Sequence, residues 1–244
     1  MSQGSGERLL SILDMFTEDQ PEWTPQELMG RLGCSRPTLY RYLKVLREAG
    51  FLAPVSGGAF GLGPRFVEMD FLARKSDPLV AYGQPHLNAL AAQFPGTAFL
   101  VRWYGERMLC VASASRDAAA RTSYPRGRPM PLANGAAAKA ILAHLPRRRL
   151  EIVADGADLA ETLRTIRRDG IAVAHGEVTP GIVGTAAPVF DATGNPLASL
   201  CVSMEADAYA ATSRKTLEAA ILAATQDIST ALSEPVPEIV GELP

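Results

Sequence analysis

Between Thr24 and Gly50 the sequence writes two short helices on either side of a very short turn, and this pattern restricts the fold more than any other feature. Thr24-Pro25-Gln26-Glu27 reads as a capping box with proline at the first helical position. The helix it opens carries Leu28 and Leu32 and meets Gly33, a residue suited to a helix C-terminus. Ser35 can cap the next helix, which runs to Ala49 and stops at Gly50. An earlier helix is announced by Leu9, Ile12, Leu13 and Phe16, one apolar stripe at i, i+3, i+4, i+7. Two short helices joined by a glycine-containing turn form the helix-turn-helix pattern.

The second of these helices has two chemically different sides. At about 100° per residue, Leu39, Tyr42, Leu43 and Leu46 fall together as a packing stripe. The opposite side holds Pro37, Tyr40, Arg41 and Lys44, with Arg36 and Arg47 at its edges and Ser35 and Thr38 at its start. Residues 31–47 carry five basic side chains and no acid, although residues 1–75 hold nine Lys/Arg and nine Asp/Glu. A neutral domain with one basic face is what a major-groove recognition helix needs: apolar packing behind, hydrogen-bond donors in front. Charge alone would equally describe a solvated helix face. Two short strands, 51–55 and 59–62, then flank Ser56-Gly57-Gly58 as a β-wing. The N-terminal part is therefore read as a winged helix-turn-helix, the alternative being a winged-helix protein adaptor. A linking helix with Val67, Phe71 and Leu72 is expected from Pro64 to Lys75, broken by Ser76-Asp77-Pro78.

The larger remainder is expected to be α+β with adjacent antiparallel strands. Its predicted elements are a helix over 79–94, a hairpin of 97–104 with 108–113, and an alanine-rich helix from Asn134 to Leu145. A helix capped by Asp158 and ended by Gly170 follows, then a strand over 171–174. A strand pair, 182–190 and 196–204, leads into one long helix from Tyr209 to Leu232. With 47% hydrophobic and 20% charged residues the chain can bury a core of this size. A net charge of −2 excludes a polybasic protein.

Catalytic signatures are missing. The sequence holds no Gly-x-Ser-x-Gly elbow, phosphate loop, His-Glu-x-x-His or Gly-x-Gly-x-x-Gly. Lys139 is read as a solvated or capping lysine rather than a nucleophile, and Arg147-Arg148-Arg149 as an exposed helix start. Cys34, Cys110, Cys201 and the histidines His86, His144 and His175 have no metal-ligand spacing, so neither a metal nor a cofactor is expected. No apolar run is long enough to cross a membrane, and no signal peptide opens the chain, which makes the cytoplasm the expected location.

Taken in order, the segments resemble the isocitrate-lyase-regulator (IclR) family of bacterial transcription factors over about residues 5–232. In the N-terminal half the resemblance rests on Ser35 to Leu43, Leu46, Glu48 to Leu52 and Phe60 to Arg65. In the C-terminal half it rests on Pro131-Leu132, Asn134 to Leu142, Ile166 to Ile171 and Gly176-Glu177. The most specific piece is Gly181 to Asp191, followed by Gly194 and the strand to Ser203. The chain departs from the family pattern at Ala138, where glycine is usual, at Gly61, where a longer side chain is usual, and at His175, where an acid is common.

The resemblance implies a GAF-like effector domain, a homodimer or a dimer of dimers, double-stranded operator DNA as partner, and a small-molecule effector, an organic acid or an aromatic metabolite. By position its pocket maps to Leu132, Asn134, Gly135 and Ala136, to His175, to Gly184 and Thr185, and to Cys201 and Ser203. Val101, Trp103 and Met130 would supply apolar wall, and backbone N–H groups near Asn134 to Ala136 would receive a carboxylate. Small residues at these positions could equally serve close packing. The expected organisation is a DNA-binding domain over 1–63, a linker helix over 64–77, an effector domain over 78–234 and a loose tail over 235–244. The function expected is ligand-responsive, sequence-specific transcriptional regulation of a catabolic operon. The competing readings are a protein adaptor and an enzyme built on the C-terminal domain.

Overall fold

The computed structural model describes residues 4–116, 125–153 and 159–234. The chain forms two compact units, Met1–Ser76 and Asp77–Pro244. Asp158 and the tail over 235–244 lie outside the described residues.

In the first unit, helices α1 (Ser5–Leu13), α2 (Pro25–Leu32) and α3 (Arg36–Glu48) pack around Ile12, Leu28, Leu39, Tyr42, Leu43 and Leu46. The capping box forms as the sequence predicts: Glu27 N–H donates to Thr24 Oγ1 at 3.3 Å, and Thr24 N–H donates to Glu27 Oε2 at 2.8 Å. Gly33 adopts the left-handed conformation (φ 58°) that turns the chain from α2 toward α3. The wing is the pair β1 (Leu52–Pro54) and β2 (Phe60–Leu62), joined by a tight turn over 56–58. Trp23 extends it: its backbone exchanges two hydrogen bonds with Phe60, and its indole N–H donates to Met15 C=O. Gly61 sits under this contact, where a side chain would press on Val55 at 3.3 Å. Helix α4 (Arg65–Lys75) follows, tied back by the edge-to-face contact of Phe66 with Phe51.

The second unit is α+β. Its six-stranded antiparallel sheet has the order β5-β4-β3-β8-β7-β6. The strands are β3 (Thr97–Trp103), β4 (Met108–Ser115), β5 (Pro129–Met130), β6 (Ala172–His175), β7 (Ile182–Phe190) and β8 (Pro196–Glu205). One face is covered by α5 (Pro78–Gln93) and α10 (Arg214–Ser233) through Leu79, Leu87, Leu217, Ile221 and Ile228. The other face is covered by α6 (Ala136–Leu142) and α8 (Ala160–Asp169) through the α6 alanines, Ile141, Leu163 and Ile166. Seven buried residues in a seven-residue helix explain the alanine run: small side chains let α6 lie close to the sheet, where Ala137 C=O accepts from Ser199 Oγ at 2.9 Å.

Two expectations are corrected. The alanine-rich helix starts at Ala136, not Asn134, because Gly135 takes φ 86° and breaks the helical path. The long C-terminal helix is two: α9 (Ala206–Ala211) and α10, divided at Thr212, whose backbone is extended. Ser213 caps α10 by accepting from Thr216 N–H at 3.4 Å. Helix α8 opens at Ala160 with Leu159 before it. A seven-residue helix, α7 (Arg147–Val153), begins with the exposed arginines Arg147 to Arg149.

Candidate DNA-binding helix and effector pocket

Helix α3 places its residues as the helical reading requires. Leu39, Tyr42, Leu43 and Leu46 are buried, and Arg36, Pro37, Tyr40, Arg41, Lys44 and Arg47 are exposed. Ser35, which was expected to cap α3, makes no cap bond to the backbone; its hydroxyl meets Thr38 Oγ1 at 2.9 Å. The Arg36 guanidinium lies 5.4 Å from the centre of the Tyr40 ring, so these two side chains form one flat, cationic surface. Lys44 Nζ is 3.8 Å from Glu48 Oε1 with both groups well exposed. That contact is too long and too solvated to hold the lysine against a phosphate.

In the second unit, strand alternation sorts the candidate pocket residues by face. Val101, Met130, Ala136 and Cys201 belong to the cluster on the α6 face, with Trp103 and Leu132 packed against it. Gly184 joins them: a methyl group there would stand 3.5 Å from Ala136 Cβ and Cys201 Sγ and 3.8 Å from Ser203 Oγ. Cys201 Sγ and Ser203 Oγ are 3.9 Å apart on the same side of β8. Asn134 is exposed at the rim.

Two expected members lie on the other face. His175 pairs with Val183, and its ring stands edge-on to Tyr209 of α9 at 5.6 Å. Thr185 pairs with Val173, one residue out of phase with Ala186 and Gly184. The residue that β6 presents toward Gly184 is Ala174, a member of the α6-face cluster.

The largest departure concerns charge. Lys139 is not solvated: it is buried, and its Nζ donates to Glu177 Oε1 at 2.6 Å. Glu177 Oε2 accepts the Gly135 N–H at 2.8 Å. The amide at the start of α6 that was expected to receive a ligand carboxylate is thus already bound to one from the protein. Burial pushes the Glu177 carboxyl up, but the hydrogen bonds from Lys139 and Gly135 and the lysine charge outweigh it and hold the group below its ordinary value. No local pattern signals this contact, which joins residues 38 and 42 positions apart. Gly135 must be glycine on two counts, its positive φ and a Cβ that would meet Val178 Cγ2 at 2.7 Å.

The thiols on this face are buried. Burial pushes Cys201 up to about 12 and Cys110 up to about 11, so neither carries a thiolate at neutral pH. Among the described residues no three His, Cys, Asp or Glu side chains group as a metal site. No described helix is long and apolar enough to cross a membrane.

The chain matches two family models: the bacterial transcriptional regulator IclR C-terminal domain over residues 72–230, and the IclR helix-turn-helix domain over residues 5–56. It is 30% identical over 212 residues to the HTH-type transcriptional regulator BhcR of Paracoccus denitrificans, covering 81% of this chain and 76% of that one. A solved IclR-type regulator from Silicibacter sp. TM1040 superposes with a TM-score of 0.81 at 22% identity, covering 96% and 98% of the two chains. An IclR homologue from Microbacterium hydrocarbonoxydans, solved with 4-hydroxybenzoate, superposes with a TM-score of 0.79 at 19% identity, covering 94% and 99%.

Proposed function

The chain belongs to the IclR family of bacterial transcriptional regulators, and from that premise we propose that α3 reads operator DNA while the α6 face of the second unit binds the effector that controls it. The observation that carries this reading is the division of α3 into a buried apolar stripe and an exposed front of Arg36, Tyr40, Arg41, Lys44 and Arg47. Phosphates would be held by Arg41, Lys44 and Arg47. Arg36 and Tyr40, at the helix start, would reach base edges.

The effector is proposed to be a small organic acid or a hydroxylated aromatic, in keeping with the 4-hydroxybenzoate held by the Microbacterium relative. Its apolar body would lie on Val101, Trp103, Met130, Leu132 and Ala136, with Ser203 Oγ as its polar contact. A carboxylate entering here meets Glu177 already on Lys139 and the Gly135 N–H. An acid must then either compete with Glu177 or rest on Ser203 alone. Gly135→Asp is no clean test of this pocket, because the position is strained for any side chain.

Gly184→Ala is cleaner, since Gly184 has no positive φ and a single methyl group there meets its neighbours at ordinary contact distances of 3.5–3.8 Å. With a fluorescent fragment from the DNA upstream of the gene, the variant should bind as the wild type does. It should lose the change in DNA affinity that 4-hydroxybenzoate or another responding acid causes. Retention of the full response in Gly184→Ala would remove the effector from this face.

A further inference from the structure

A cavity lies at the free edge of β7, apart from the residues proposed to hold the effector. Strand β6 pairs with β7 only from Val183 to Ala186. Beyond that point α10, Gly170 and His144 surround Pro188 and Phe190, leaving a cleft of about 650 Å³. Cavities of roughly 300–1,000 Å³ accept ligands of small-molecule size.

The edge itself excludes an added strand. Pro188 has no N–H to offer, and the Phe190 N–H is already donated to Ser229 Oγ at 2.9 Å. The α10 wall is a row of hydroxyls, but their hydrogens are spent on the helix. Thr225 Oγ1 donates to Leu222 C=O, Ser229 Oγ to Thr225 C=O, Thr230 Oγ1 to Gln226 C=O and Ser233 Oγ to Ser229 C=O. These hydroxyls present oxygen lone pairs and carbon, while the exposed Gln226 amide on the same wall adds N–H donors. Leu222 and the Phe190 ring supply apolar area.

Charge sorts the occupant further. Asp191 stands at the rim, and the hydrogen bond from Thr193, aided by nearby amides and opposed by slight burial, keeps its carboxylate ionised and hostile to an anion. On the other side Arg167 lies near His144; burial first, and this guanidinium second, keep the imidazole neutral. The His144 ring stands edge-on to Phe190 at 5.0 Å, and its buried Nε2 has no hydrogen-bond partner. A buried polar nitrogen left unmade costs about 1–3 kcal/mol.

We propose that this cleft is a second small-molecule site that takes an uncharged aromatic alcohol of the phenol type. The ring would lie against Phe190 and Leu222. The hydroxyl, donor and acceptor at once, would enter beside Phe190 to His144 Nε2 and suits either imidazole tautomer.

The test uses the full chain with methyl-labelled leucine and threonine and 4-ethylphenol as the probe. Titration should shift the Leu222 and Thr225 methyl resonances in a saturable way. Thr230→Trp, at an exposed position on the cleft wall, should weaken those shifts at least about tenfold with the unfolding temperature unchanged. 4-Ethylanisole, which lacks the donor, should bind about tenfold more weakly, and 4-ethylbenzoate should bind no better than that ether. His144→Phe should abolish the preference for the phenol over the ether. The proposal is overturned if 4-ethylphenol shifts only α6-face methyls such as Leu132, if Thr230→Trp leaves its affinity unchanged, if the benzoate binds as tightly, or if nothing binds. The effector reading rests on other residues, the α6-face cluster around Gly184, and is tested by Gly184→Ala, so failure of the one is distinguishable from failure of the other.

Discussion

The buried ammonium of Lys139 would be a liability without Glu177, and Glu177 reaches it only because the turn after β6 folds back over the start of α6. Removing one partner of a fully buried pair costs about 3–5 kcal/mol. Glu177 keeps 31% of its side-chain surface, so Glu177→Ala should cost less, roughly 2–3 kcal/mol, or about 5–10 °C of unfolding temperature. The sign of its pH dependence follows from the lowered carboxyl. Its stabilisation is fully present above the unfolded value of 4.5 and is lost as pH falls through the lower folded value. Thermal scans should therefore show a constant gap between wild type and variant from about pH 5.5 to 8, closing in more acid solution. A gap that widens on acidification would assign the stability to some other contact. This ion pair was invisible in the sequence because nothing local links Lys139 to Glu177. The face of His175 was not: the alternation of Ala172, Val173, Ala174 and His175 already contained it, and a match by family position overrode it.

Among the elements, those with a chemical start and stop were legible and those defined by tertiary packing were not. Thr24 and Glu27 announce α2, and Gly33 and Gly50 end α2 and α3, because capping and left-handed turns are solved within a few residues. Thr24→Ala should cost about 1 kcal/mol by chemical denaturation and, by loosening the platform of α3, weaken DNA binding. No stability change would mean that Pro25 and the packing of Leu28 alone set the helix start. The break between α9 and α10 had a local signal too, Ser213 three residues before Thr216, but the apolar run on both sides concealed it. The start of α6 had one as well, Gly135 with its φ of 86°, but the alanine run that follows and the asparagine before it concealed where the helix begins. Helix α4 is the reverse case. Its apolar side chains were expected, and Val67, Phe71 and Leu72 are each more than half exposed. An exposed apolar helix of this kind suits a contact between subunits. Phe71→Glu should shift the protein toward the monomer in light scattering at micromolar concentration, whereas a wild type that is itself monomeric would remove the dimer from the account.

At the scale of the molecule, one recognition helix reads too few base pairs to select an operator, so a symmetric dimer on a pseudo-palindrome is the arrangement proposed. Effector binding can alter DNA affinity only if the ligand favours one arrangement of that dimer over another. The central claim is that the front of α3 binds DNA through its phosphates and bases. The measurement that tests it most directly is fluorescence anisotropy of the chain on its own upstream DNA at several salt concentrations, with Arg41→Ala alongside. If the two α3 fronts neutralise roughly 6 to 10 phosphates, affinity should fall about 10³- to 10⁵-fold between about 50 and 200 mM salt. Arg41→Ala should bind more weakly at every salt, with a slope shallower by about one per lost contact in each subunit. Binding that ignores salt, or an Arg41→Ala variant indistinguishable from wild type, would contradict the account.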